Sequence, residues 1–209
     1  MADNDVDLID DAGTLREIIG DVPAIAADKV LNRLDEHSRR FIELSPFLCL
    51  ATVDNRGRCD VSPRGDPPGF VKIHDDKTLL IPDRPGNRRV DSMQNLLVND
   101  SIGMIVFVPG ISETLRLGGR AEITSNKSLL QSMAIRGQAP KLALRVHIEF
   151  VFFHCAKALI RSGLWDSSAQ IARSEFPSYG QIIRDQRRPD KSADEVEELV
   201  QDDYKNSLY

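Results

Sequence analysis

Apolar residues recur at every second position through the middle of the chain, and at every third or fourth position towards its two ends. The clearest period of two lies late in the chain, where Leu144, Val146, Ile148, Phe150 and Phe152 alternate with Arg145, His147 and Glu149. That pattern predicts a strand with one buried face. Shorter runs rich in branched and aromatic residues predict further strands: FLCLATV (47–53), RCDVS (58–62), GFVKI (69–73), TLLI (78–81), IGMIVFV (102–108) and TLRLGGRAEI (114–123). Turn signals separate most of them, including Asp54-Asn55-Arg56-Gly57, Asp75-Asp76 and Pro109-Gly110. The first two runs make a plausible hairpin.

Helical spacing appears in four places. From Ala24 to Leu44 it is carried by Val30, Leu31, Leu34, His37, Phe41 and Ile42, and Ser45-Pro46 predicts its end. The stretch 87–100 places Val90, Met93 and Leu97 on one face. The stretch 126–137 has Ser125 or Asn126 as its N-cap and Gly137 as its stop. The segment after Phe153 turns polar, and its last helix groups Val196, Leu199, Val200 and Tyr204, with acids early where the macrodipole favours them. Many antiparallel strands with helices at the corners predict a mainly β chain closed as a small barrel. The connections are too short for repeated βαβ units, which argues against a doubly wound sheet. The expected organisation is an acidic arm over 1–23, a barrel over 24–165 and a helical extension over 166–209 that packs on the barrel or on a dimer partner.

The chain has 209 residues, 41% of them hydrophobic and 28% charged, which suits an ordinary soluble domain. A net charge of −5 argues against a general nucleic-acid binder. Cys49, Cys59 and Cys155 are too few and too scattered for a disulfide framework. They predict reduced thiols in small core positions of a cytoplasmic protein. The acidic start has no signal-peptide pattern, and no window is long and apolar enough for a membrane helix.

Candidate chemistry gathers in two stretches. DVSPRGDPPGF (60–70) holds Arg64 among three prolines and two glycines, in what reads as a stiff loop. Ser62 sits two residues before it. IPDRPGNRRVDSMQNL (81–96) places Arg88 and Arg89 in the first turn of a predicted helix starting near Asn87. Cations disfavour that end of a helix, so the placement makes sense if an anion docks there. The alternative is ordinary surface pairing, of Arg88 and Arg89 with Asp83 and Asp91, and of Arg64 with Asp66. Trp165, four residues after Arg161, reads either as a core or interface anchor or as a wall beside a planar ligand. P-loop and dinucleotide glycine patterns are missing, and neither His154-Cys155 nor any paired carboxylates make a metal site or a catalytic pair.

Taken in order, FLCLATVDNRGRCDVSPRG, TLLIPDRPGNRRVDSMQNLLVND and ETLRLGGRAEI resemble the split-barrel flavin-binding family that includes pyridoxamine 5′-phosphate oxidase. SPRGDPPGF, IPDRPGNRR and HCAKALIRSGLWD resemble its FMN-binding related subfamily, over residues 24 to 204. The resemblance implies a six-stranded antiparallel split barrel that forms a homodimer, with FMN in two interfacial clefts. It implies Arg64, with Lys72, at the FMN phosphate, joined by Asn87, Arg88 and Arg89. Ser62, Ile81 and Pro82 would line the isoalloxazine and ribityl chain, and Arg161 and Trp165 would approach the flavin late in the chain. Thr114 stands where the oxidase often has a glutamine. The oxidase's C-terminal substrate-binding pattern is not recognisable, and Asp66-Pro67-Pro68-Gly69 interrupts a strand that runs straight in the oxidase. FMN binding therefore carries over better than oxidation of pyridoxamine phosphate. The expected function is an FMN-dependent oxidoreductase of a small molecule. A non-catalytic flavin store or sensor, a deazaflavin-dependent reductase and a ligand-free dimeric barrel are the alternatives. Apolar edges such as 150–153 and the amphipathic last helix add an independent reason to expect a two-fold dimer.

Overall fold

The computed structural model describes residues 8–187 and 190–209, so the first seven residues of the acidic arm lie outside the described residues. The chain divides into two units, Met1–Val30 and Leu31–Tyr209. The first contains α1 (Ala12–Ile19), capped by Asp11, whose carboxylate accepts from the backbone of Gly13 and Thr14, and the single turn α2 (Ala24–Ala27).

The second unit opens with α3 (Glu36–Leu44). The single helix predicted over 24–44 is therefore broken. Asp35 starts α3 afresh, accepting from Ser38 N while the Ser38 hydroxyl accepts from Asp35 N, and such a cap contributes about 1 kcal/mol. Between the helices, Leu31 bridges to Val151 instead of continuing a turn. Ser45 ends α3 in an extended conformation before Pro46, as predicted.

Then come β1 (Phe47–Val53), β2 (Cys59–Gly65), β3 (Lys72–Ile73), β4 (Thr78–Pro82), α4 (Asp91–Leu96), β5 (Ser101–Phe107), β6 (Thr114–Thr124), α5 (Lys127–Gln131) and β7 (Ala143–His154). The helices α6 (Lys157–Ser162), α7 (Tyr179–Arg187) and α8 (Ala193–Asn206) follow. The strands form one antiparallel sheet in the order β2-β1-β5-β6-β7-β4-β3. The chain is thus mainly β with flanking helices. The sheet has seven strands rather than six because residues 72–73 add a short edge beside β4. Its hydrogen-bonded ladder is open, with β2 and β3 as the two edges.

Leu48, Leu50, Met104, Val106, Leu115, Leu117, Leu144 and Val146 build the core on one face, with Phe41 and Ile42 of α3 packed against it. The alternation predicted for β7 holds only to Ile148. The register slips at Gly118 and Gly119, where Gly118 faces Phe150 and Gly119 faces Ile148, so Glu149 is passed over. Val151 then turns inward and is buried, while Phe150 and Phe152 move to the other face. Asn126 caps α5 as predicted, but α5 ends at Gln131. Gly137 instead turns a tight bend with Arg136, both at positive φ, between Ile135 and Gln138. Ser192 starts α8 with a capping box to Glu195. The cysteines are free, but only Cys49 is even partly buried; Cys59 and Cys155 are exposed, against the expectation of core positions. No helix among the described residues is long and apolar enough to cross a membrane.

The bulge sets the sharpest steric constraint in the sheet. A Cβ on Gly119 would lie 2.0 Å from the His147 carbonyl oxygen, whereas one on Gly103 would meet only the Ala51 methyl at 4.0 Å. Gly119→Ala is expected to lower the stability by about 3 kcal/mol or more, and Gly103→Ala by less than about 1 kcal/mol. Urea denaturation of the two variants checks this; equal losses would contradict the assigned register.

Candidate functional site

Arg64 is not in a loop. β2 runs on through Pro63 and Arg64 to Gly65. Pro63 can sit in a strand here because β2 is an edge, where no ladder bond needs its missing N–H. Alternation then points Ser62 and Arg64 to the less exposed side and Val61, Pro63 and Gly65 outward. The stiff Asp66-Pro67-Pro68-Gly69 turn follows the arginine instead of surrounding it.

The Arg64 side chain is 20% exposed. Its Nη1 donates to Asp83 Oδ1 at 3.1 Å, and its Nε is buried without a partner. Asp83 lies just past β4, fixed by its own N–H on the Leu142 carbonyl. Five strand spacings separate β2 from β4 in the sheet order, which would be about 24 Å in a flat sheet. The cross-strand row through Arg64 reaches β7 at Phe153, while Pro82 pairs with Ala143, ten residues earlier. A contact between Arg64 and Asp83 therefore requires the sheet to curl and stagger as a barrel does. Side chains, not backbone bonds, meet across the β2–β4 seam.

A second contact crosses the same seam. Arg84 Nε donates to Asp66 Oδ2 at 2.5 Å, with Asp66 fully buried and Arg84 14% exposed. Arg84 Nη2 donates to the Met133 carbonyl. Asp66 is thus the partner of Arg84 and not of Arg64, the surface-pairing alternative for that arginine; Arg64 reaches Asp83 and Asp66 reaches the next residue of the loop. Tyr209 adds its hydroxyl to the other Asp66 oxygen at 2.9 Å. That bond, followed by partial burial and the carboxylate charge, raises the phenol above its ordinary pKa.

The 83–90 loop also departs from the predicted helix start. Arg88 and Val90 both have positive φ, 58° and 54°, and α4 begins only at Asp91. Val90 in that conformation is strained by its branched side chain. Arg88 and Arg89 therefore lie in the loop and not in a helical turn, which removes the wrong-end argument for them. Arg89 pairs with Asp91 at 2.6 Å, and that bond raises the already high pKa of its guanidinium. The Asn87 side-chain Oδ1 accepts from the Arg89 backbone N–H. Arg88 is exposed and makes no ion pair among the described residues.

The other predicted residues divide. Ser62 joins the seam: its hydroxyl lies 3.1 Å from that of Ser92 at the start of α4, and Ser92 donates to Asp60. Because the Ser92 proton is committed to Asp60, Ser62 is the donor of the pair. Ile81 and Pro82 are buried beneath the loop. Lys72 is exposed on β3 and donates to the Gly69 carbonyl. Thr114 is buried in register with His154, whose Nδ1 has no partner. Trp165 is half-buried and donates its Nε1–H to the Ile111 carbonyl, while Arg161 is exposed on α6. The hydrogen bonds of Thr114, Trp165 and Lys72 do not lead to Arg64. Sequence reasoning missed Asp60, Arg84, Ser92, Arg136 and Tyr209 as members of the cluster, and named Asp83 only as a surface partner of Arg88 and Arg89. Asp83 and Arg84 had one signal, their place within IPDRPGN beside a strand end.

Chemically the seam presents a cation with unmet donor capacity. Arg64 has five N–H donors, one of them spent on Asp83 and another buried with no acceptor. An anionic oxygen entering here would meet that capacity. A groove of about 730 Å³ lies elsewhere, lined by Val53, Asp54, Leu97 and Asp100 among others; its charged residues are acidic. No group of three His, Cys, Asp or Glu side chains among the described residues is arranged to hold a metal ion.

The Pyridoxamine 5'-phosphate oxidase family model matches residues 34–155. Comparison with the curated proteins finds no match. Among solved structures, HupZ of Group A Streptococcus aligns at 20% identity over 57% of this chain and 93% of its own, with a TM-score of 0.47. A pyridoxinephosphate oxidase family protein of Clostridium acetobutylicum, related to general stress protein 26, aligns at 18% identity over 58% and 90%, with a TM-score of 0.44. HutZ, the heme storage protein of Vibrio cholerae, aligns at 17% identity over 57% and 94%, with a TM-score of 0.41.

The two seam contacts should respond differently to truncation without ligand. Removing Arg64 abolishes a buried unmet donor, so Arg64→Met is expected to change the stability by less than about 1 kcal/mol. Asp66→Ala removes the fully buried carboxylate and strands the part-buried Arg84 guanidinium, and should cost about 3–5 kcal/mol. Thermal and urea unfolding of both variants check this; a large loss for Arg64→Met would make Arg64 a structural residue.

Proposed function

As the chain belongs to the pyridoxamine 5'-phosphate oxidase family, we propose that it binds FMN at the β2–β4 seam and acts as a flavin-dependent oxidoreductase on a small molecule. The observation that carries this reading is the Arg64 Nε, buried and without a partner in a side chain that is still 20% exposed. A buried donor left unmet costs about 1–3 kcal/mol, a cost that a phosphate oxygen arriving at Arg64 would remove. The donor set fits the phosphate: Arg64 from β2, the exposed Arg88 from the loop, and Asn87 and Arg89 beside it.

In this reading each group has a task that its position allows. Arg64 binds the phosphate bidentately once Asp83 yields part of its hold. Ser62 and Ser92 orient one another at the mouth of the seam. Ile81 and Pro82 form the dry floor. Lys72 lies next to the same turn through Gly69 and adds positive charge. Thr114, Arg161 and Trp165 belong to the flavin-ring end of the cleft, where Trp165 is held by Ile111. Bound FMN supplies two-electron transfer through its ring system, and the chain's residues bind, orient and exclude water around it. This division leaves no catalytic acid or base to be assigned in this chain.

The split-barrel form, a homodimer with the flavin at the subunit interface, and a cytoplasmic location complete the proposal. Phe47, Val61 and Phe150 remain exposed on the strands β1, β2 and β7, which favours a second copy as their cover.

Purified protein is expected to be yellow, with mass spectrometry identifying FMN, and Arg64→Ala should weaken FMN binding by about 1.5–3 kcal/mol without unfolding the sheet. Colourless protein whose melting temperature does not move with added FMN would overturn the reading. Tighter binding of a deazaflavin or haem in the same titration would reassign the cofactor, and bound flavin that no donor reduces would make the protein a store or sensor. Light scattering at micromolar concentration should return twice the chain mass.

A further inference from the structure

Residues 207–209 follow α8 and end on the seam. Tyr209 donates its hydroxyl to Asp66 Oδ1, and its ring lies 5.3 Å from the Arg136 guanidinium and 6.0 Å from that of Arg84. One side chain thus touches the exit of β2, the exit of β4 and the 135–138 bend. α8 is in turn anchored on α7, where Gly180 N–H donates to Glu197 Oε2 at 2.7 Å and the contact is too close for any Cβ on Gly180.

The chain of contacts leads directly to the candidate anion site. Tyr209 satisfies one oxygen of Asp66, and Arg84 satisfies the other. Arg84 is the immediate neighbour of Asp83, which holds Arg64. No strand pairing joins β2 to β4 among the described residues, so side-chain contacts set the position of the 83–90 loop relative to Arg64. The loop also carries strained backbone at Arg88 and Val90, a conformation that persists only while its surroundings impose it. A fully buried carboxylate that loses one of its donors is driven to re-pair, and the cation it holds is the one at the base of this loop.

We propose that residues 207–209 form a strap across the seam, and that Tyr209 is a positioning residue that holds the 83–90 loop in its anion-receiving conformation. Tyr209 acts through Asp66 and Arg84 and touches no ligand itself. Strap docking and ligand binding are then coupled, and the coupling is reciprocal: whatever factor the docked strap adds to ligand affinity, the bound ligand adds to docking of the strap. The ligand arm of this proposal rests on the FMN reading above; the loop arm does not.

The test uses the full chain and three variants: Tyr209→Phe, which removes only the hydroxyl, Tyr209→Ala, and Tyr204→Phe as a control on the exposed face of α8. Hydrogen exchange of residues 83–90 is measured without ligand, and FMN dissociation is followed by stopped flow. Both Tyr209 variants should exchange faster at the Asp83 and Arg89 amides, while Tyr204→Phe should match the parent. Tyr209→Phe should raise the FMN dissociation rate about fivefold or more. In the parent, FMN should slow exchange in residues 200–209, an effect absent from Tyr209→Ala. Unchanged exchange of 83–90 in both Tyr209 variants overturns the strap, whether or not FMN binds. Faster exchange with an unchanged FMN dissociation rate overturns it too, since the loop would then not transmit the contact. If FMN fails to bind the parent chain, the FMN reading falls, and the exchange of the ligand-free loop alone decides the strap.

Discussion

The fold depends on how the seam between β2 and β4 is held. The sheet order leaves β2 an edge and gives β4 only the two-residue β3 on its outer side, so the curl that brings β2 and β4 together is secured by side chains. Two ion pairs cross the seam, from Arg64 near the end of β2 and from Asp66 just past it, to consecutive residues of the loop after β4: Arg64 with Asp83, and Asp66 with Arg84. Their environments differ. The Asp66–Arg84 pair is the more enclosed, with the Asp66 side chain fully buried, and it takes further hydrogen bonds with Met133 and Tyr209. The Arg64–Asp83 pair is part open, and one of its donors is left over.

That inequality divides the seam into a structural half and a receptive half. A buried ion pair contributes little net stability when complete and costs a great deal when broken, so Asp66–Arg84 works as a register lock. It fixes which residues of the loop face Arg64. In the proposed reading the receptive half holds a cation pre-aimed by an edge strand, which would lower the ordering cost of binding an anion. The prolines contribute differently from what their spacing suggests. Pro63 is tolerated because β2 is an edge, and Pro67 and Pro68 turn the chain away just after Asp66, so that no longer strand can extend the ladder and close the seam with backbone bonds.

Much of this was legible in the residues. Runs of branched and aromatic residues marked β1, β5 and β6, alternation marked the first half of β7, and the side-chain cap at Asn126 marked one helix start. The two arginine-bearing stretches singled out as chemically unusual do meet in space. What could not be read is tertiary. The partner of Arg64 was drawn from its neighbours in sequence, whereas the actual partner lies 19 residues on and is brought close only by the curl. The start of α4 shifted because Arg88 and Val90 adopt positive φ, which their side chains do not favour and which local propensity therefore does not predict. The bulge at Gly118 and Gly119 exchanged the faces of Phe150 and Val151, a change set by the partner strand. Tyr209 carried no signal at all, since its role comes from where α8 delivers it.

The central claim is that Arg64 sits ready for a phosphate. The most direct measurement compares the affinity of the protein for FMN with that for riboflavin, which carries the same ring and chain without the phosphate. FMN is expected to bind about tenfold more tightly or better, as a charge-assisted bidentate contact would give, and the difference is expected to disappear in Arg64→Ala. Equal affinities for the two flavins in the parent protein would contradict it.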